Sequence, residues 1–197
     1  MTGATGRAAA VYSPTMVKAV NRGPRPDRED NMERPRLDYT AELLRHFADL
    51  RDGTHGDATS RPHKERLFTA AVALLDRRAR QALEEINNDL LLGTGEVTAT
   101  GVRHRGDGSD AIWALSWPEQ QAAGINPIII RAFYSAGAHH PHLRAGTVGD
   151  WPLNVFDEKQ AAAQLPTLRA MASADLHNLV FQRDYRIIPA IVTGWAP

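Results

Sequence analysis

Three of the chain's eight histidines, His139, His140 and His142, stand within four positions, and Arg144, Asp150 and Trp151 follow them closely. In an extended segment, residues two apart point to the same side, so His140 and His142 can present two imidazoles to one metal ion. Asp150, or Asp175 with His177 from further along the chain, can add an oxygen or a third nitrogen. The expected metal set is therefore His140, His142 and His177, around a divalent ion such as zinc or manganese. The same stretch also permits acid–base work. An imidazole near neutral pKa beside Asp150 and Arg144 can move a proton or orient a phosphate or carboxylate. That gives His140, His142, Asp150 and Arg144 as the catalytic set of a hydrolase-like enzyme. Pro141 holds the backbone between the two imidazoles. The structural alternative is a loop whose histidines bond to backbone carbonyls.

Several chemistries drop out at once. The chain has no cysteine, which removes disulfides, thiolate nucleophiles, zinc–thiolate sites and iron–sulfur clusters. Ser135 lies in Tyr-Ser-Ala-Gly, not in the Gly-x-Ser-x-Gly setting of a nucleophile elbow. Gly93-Thr94-Gly95 lacks the lysine and the strand-to-helix context of a phosphate loop. The His-x-His spacing resembles that of cupins, but no glutamate stands four residues after His142.

The order of this region carries a second resemblance. Pro127, an apolar strand, His140-Pro141-His142 and then Gly146-Thr147-Val148-Gly149 resemble the His-Pro-Asn stretch and following active-site strand of ubiquitin-conjugating enzymes. His142 takes the place of the asparagine and Gly149 that of the cysteine. The resemblance covers about 25 residues and implies a non-catalytic relative used for binding.

The elements that must position these groups follow from periodicity. Residues 1–37 are rich in Gly, Pro, Arg and Asp, too poor in apolar side chains to offset their ordering entropy, and are expected to form a disordered tail. Asp38 is a plausible N-cap for a short helix carrying Leu43, Leu44, Phe47 and Leu50, ending at Asp52-Gly53. A long helix is expected from Pro62 to Leu92. Its Phe68, Val72, Leu75, Ala79, Leu83, Ile86 and Leu90 form one stripe, with Gly93 at its C-cap. Strands are expected over Glu96–Arg105, Ala111–Trp117 and Ile128–Tyr134, with Gly106–Ser109 as the hairpin turn. Residues 134–151 then form a long loop. Asp157 and Gln160 resemble a capping box opening a helical region to Gln182, interrupted at Pro166. Arg186–Val192 is expected as a last short strand.

The sum is an α+β domain over 38–197: two N-terminal helices, a mainly antiparallel sheet of three to four strands, and C-terminal helices packed on it. Zero net charge, from 23 basic and 23 acidic residues, argues against nucleic acid as the partner. No apolar run approaches a membrane span, and no signal-peptide core is visible, so a cytoplasmic location is expected. The function expected from these features is an accessory module that binds another protein through the histidine loop. The alternative is the metal-dependent or histidine acid–base enzyme above. Oligomeric state is left open.

Overall fold

The computed structural model describes residues 38–194, so the tail expected over 1–37 lies outside the described residues. Two helices come first, α1 (Asp38–Asp52) and α2 (Arg61–Leu90). A sheet follows: β1 (Glu96–Ala99), β2 (Arg103–Arg105), β3 (Gly108–Ser116), β4 (Ile128–Ser135), β5 (His142–Ala145) and β6 (Trp151–Pro152). A short helix, α3 (Pro118–Ala122), interrupts it. The described chain closes with α4 (Glu158–Ala163), α5 (Leu165–Gln182), a 3₁₀ turn at Tyr185–Ile187 and α6 (Pro189–Val192). No described helix is long and apolar enough to cross a membrane.

Every strand pairing is antiparallel, in the order β1-β3-β4-β5-β6, with β2 beside β1 on the same edge of β3. Alternation along each strand sorts the side chains. Ala111, Trp113 and Leu115 of β3, Ile128, Ile130, Ala132 and Tyr134 of β4, and Leu143 of β5 point inward and are buried. On this face lie α2 and α5. The stripe of α2 is buried as its period predicts, through Phe68, Val72, Leu75, Ala79, Leu83 and Ile86. The other face carries Asp110, Ile112, Arg131, Phe133, His142 and Arg144. At Gly108 the backbone runs so close to Tyr134 and Ser135 that a Cβ would collide with them, and its φ of +136° admits little but glycine.

Three expectations are corrected. Among the described residues the sheet has six strands, because residues 134–151 are not one loop: His142–Ala145 pairs with β4, and Trp151–Pro152 pairs with β5. Glu96–Arg105 is two strands, parted at Gly101, whose φ of +63° breaks the ladder. The final segment is not a strand. The Asp184 carboxylate accepts from the Arg186 amide and starts a 3₁₀ turn, and Pro189, which cannot donate to a ladder, opens α6. The break at Pro166 and the Asp157 cap are as expected, the Asp157 side chain accepting from the Gln160 amide at 2.7 Å.

The apolar residues that mark α1 in the sequence are not the ones it buries. Leu44, Phe47 and Leu50 are exposed, whereas His46 and Asp49 face the body of the protein. The helix is turned with its polar face inward.

The Trp117 indole N–H donates to the Ile187 carbonyl at 2.6 Å and ties the end of β3 to the last turn. Trp117→Phe leaves that buried carbonyl without its donor and is expected to cost about 1–3 kcal/mol. Urea unfolding measures the loss. Hydrogen exchange should show it concentrated at residues 185–192; an unchanged midpoint would refute this tie.

Candidate metal centre

Residues 46 and 49 lie one turn apart on α1, so His46 and Asp49 share its inward face. The chain then leaves the helix through Gly53 and makes a tight loop in which His55 and Ala58 exchange backbone hydrogen bonds, at 2.9 and 3.1 Å. The Asp49 carboxylate organises this loop, accepting from the Thr54 hydroxyl at 2.9 Å and from the Gly56 amide at 3.2 Å. Gly56 has φ of +59°, and a Cβ there would press on the Phe156 ring at 2.9 Å. Only glycine allows the loop to sit so close. The result is that His55 turns inward, toward the segment entering β5.

From that segment comes His140, just ahead of Pro141. Its ring lies 5.1 Å from that of His55 and 4.8 Å from that of His46, edge to face in both cases. Asp49, His55 and His140 each offer a ligand atom, and all three atoms lie within 4.8 Å of one another. The group is sealed: Asp49 and His46 are 7% exposed, His140 1% and His55 0%.

What distinguishes this cluster is its lack of partners. Both ring nitrogens of His55, both of His140, and Nδ1 of His46 and of His142 are buried without a hydrogen bond among the described residues. Buried polar atoms in native proteins are nearly always satisfied, and an exception of this size calls for a cause, an ion being one. The electrostatics keep the rings neutral. Burial pushes His55 down to about 4, helped by the neighbouring His140 and opposed by Asp49. Burial likewise takes His140 down to about 4, with His46 adding to it. His46 is lowered by burial and by His142. Lys64 reinforces this. Its ammonium is buried in the first turns of α2 and donates to the Gly53 carbonyl at 2.8 Å and the His139 carbonyl at 3.2 Å, pinning both segments that carry the centre. Neutral imidazole is the form that ligates a metal.

Of the residues expected from sequence, His140 is at the heart of the cluster and His142 at its margin, 6.2 Å from His46 ring to ring. His142 opens β5 and stacks on Phe133 at 5.6 Å. Asp150 and Arg144 are outside it, joined to each other by two hydrogen bonds of 2.5 and 2.9 Å on the sheet's outer face. His177 is exposed on α5, stacked on Phe181, and is not brought to the cluster. Asp175 is spent on the turn after β5, accepting from the Gly146 and Thr147 amides and the Thr147 hydroxyl. Sequence reasoning missed His46, Asp49 and His55. One signal was present: His46 and Asp49 at helical spacing, followed by a histidine in a glycine-rich turn. Comparison with known proteins finds no matching family model, no similar curated protein and no similar solved structure.

The lowered imidazoles make metal-free protein acid-sensitive. A histidine whose folded pKa lies below its unfolded value near 6.5 favours the folded state above that value, and this stability is lost as pH falls toward the folded pKa. For His55 and His140 the window runs from about 6.5 to about 4. Unfolding in the presence of chelator should therefore show stability falling by on the order of 2 kcal/mol per imidazole between pH 7 and pH 5. In His140→Gln that slope should shrink; an equal slope would show that His140 is not buried neutral.

Proposed function

We propose that the chain is a divalent-metal-binding protein whose buried centre, formed by Asp49, His55 and His140 with His46 as the fourth ligand, takes a zinc-class ion. The observation that carries this reading is the set of unpartnered imidazole nitrogens converging with a carboxylate inside the protein. A tetrahedral ion held at about 2.0–2.1 Å from nitrogen keeps its ligand atoms about 3.3 Å apart. Ligand atoms already within 4.8 Å reach that spacing by small side-chain rotations. Imidazole-rich donors with one carboxylate suit zinc better than manganese or magnesium, which prefer oxygen. The Asp49 charge offsets part of the ion's, and its hydrogen bonds from Thr54 and Gly56 orient the carboxylate as outer-shell partners do for metal ligands.

Burial favours a structural role over a hydrolytic one. A catalytic zinc keeps one position open for water or substrate. Here His46 stands beside that position, and the surrounding groups are almost fully covered. The ion would act as a clasp, joining α1 and the 53–60 loop to the strand that begins at His142. This fits an accessory module more closely than an enzyme.

Protein purified without a histidine tag should carry about one equivalent of zinc. Saturating zinc at a hundredfold excess over Kd adds about 2.7 kcal/mol, raising Tm by roughly 5–10 °C for a chain of this size, while manganese adds little. His55→Ala and His140→Ala should abolish both the metal and the shift, and His177→Ala should change neither. Absence of stoichiometric metal together with an unmoved Tm sinks this reading.

A further inference from the structure

The outer face of the sheet holds a second feature, which meets the candidate metal centre at His142. Four arginines gather on it: Arg103 and Arg105 from β2, Arg131 from β4 and Arg144 from β5. Two carboxylates answer them. Asp110 receives Arg103 through two hydrogen bonds of 3.0 and 3.2 Å, Arg131 at 2.9 Å, and Arg105 at only 3.7 Å. Asp150 takes Arg144. Asp107 lines the same hollow as Arg105, Asp110 and Arg131, so among the described residues the patch keeps an excess of one positive charge.

The register makes that excess costly. Arg131 and Arg144 are directly opposite each other on β4 and β5, and like charges directly opposite across a ladder repel. Both lie by the Phe133 ring, with their guanidinium carbons 5.5 and 4.9 Å from its centroid, and each is offset by a single carboxylate, Asp110 for Arg131 and Asp150 for Arg144. The Arg131 Nε is buried and has no hydrogen-bond partner among the described residues. Arg105 and Arg144 remain half-exposed, at 53% and 50%. Next to this pair runs a half-buried apolar row of Ile112, Ala114 and Ile129, and the described helices that pack on the sheet do so on its other side.

We infer that this face docks an acidic peptide segment of a partner protein, whose carboxylates bridge Arg131, Arg144 and Arg105 while an apolar side chain settles on Ile112 and Ile129. Guanidinium groups pair carboxylates two bonds at a time, as Asp110 and Asp150 already do here. A partner carboxylate between Arg131 and Arg144 relieves their repulsion and supplies the acceptor that Arg131 Nε lacks. Single-stranded nucleic acid is the less suited occupant. It needs exposed aromatic rings for stacking, whereas Phe133 is 9% exposed beneath the two arginines, and the chain has no basic excess.

Fluorescence anisotropy on the full chain tests this with three labelled probes: a peptide of alternating glutamate and valine, a lysine–valine peptide of equal length, and a charge-matched single-stranded oligonucleotide. The glutamate peptide should bind saturably and weaken as salt rises through the physiological range. Arg144→Gln and Arg131→Gln should each weaken it roughly tenfold. Because either variant could disturb the sheet, Arg105→Gln, at the exposed edge of the patch, should weaken binding several-fold with unchanged Tm. Tighter binding of the oligonucleotide overturns the inference, as does a glutamate peptide that fails to bind or is indifferent to all three substitutions. Zinc removal leaves these arginines in place, so a failed metal centre and a failed docking face give separate results.

Discussion

An imidazole removed from water must find a partner or be a cost to the fold, and the placing of the N-terminal elements depends on how that constraint is met. His55 and His140 have both nitrogens buried and without a hydrogen-bond partner among the described residues. A hydrophobic residue of similar size at either position would pack without that penalty. The chain instead uses the inward face of α1, the Asp49-ordered loop and the segment before β5 to assemble these rings, with Lys64 bonded to two of those three segments. The ion proposed for that assembly would convert this cost into a bond between α1 and the segment that enters β5.

The orientation of α1 follows from the same constraint. Burial of Leu44, Phe47 and Leu50 would each bring on the order of 1.5–3 kcal/mol, and the helix forgoes much of it by leaving them substantially exposed. Turning the polar face inward is reasonable only if His46 and Asp49 have something to hold. Other links support the orientation, notably the Gln164 side-chain amide donating to Glu42 at 2.9 Å. Asp49 already holds the Thr54 hydroxyl and the Gly56 amide, whereas His46 Nδ1 has no partner among the described residues. On the far side of the sheet the physics is different: Asp110 is buried but paired with arginines, and Arg131 and Arg144 lie over the Phe133 ring while staying partly exposed. His142 joins the two regions, with one side near His46 and the other stacked on Phe133.

Much of the architecture is legible in the sequence because local physics decides it. The stripe of α2 repeats at helical period over its whole length, so its buried face is fixed whatever it packs against. The turn at Gly106–Asp107 between two β-rich segments declares the antiparallel pair of β2 and β3, and the apolar run of β4 declares a strand. The Asp157 cap and the break at Pro166 depend on neighbouring residues alone. The misread elements depend on a partner. His142–Ala145 is a short strand that exists because β4 offers it an unpaired edge, Trp151–Pro152 adds in turn to the edge of β5, and Arg186–Val192, apolar enough for a strand, yields to the proline and the aspartate cap.

The chemistry divides along the same line. The absence of cysteine, the missing nucleophile and phosphate motifs and the concentration of imidazoles around Pro141 belong to the sequence, and they direct attention to His140 and His142. Which groups His140 would meet was decided by tertiary structure alone. His46 and Asp49 lie about ninety residues away along the chain, on a helix whose apolar pattern advertises the opposite face, and His55 becomes inward-facing only through a loop that Gly56 permits. Spacing along a chain can show that two neighbours are able to share an ion. Convergence of distant segments is set by packing, a sum of many weak contacts that no local pattern encodes.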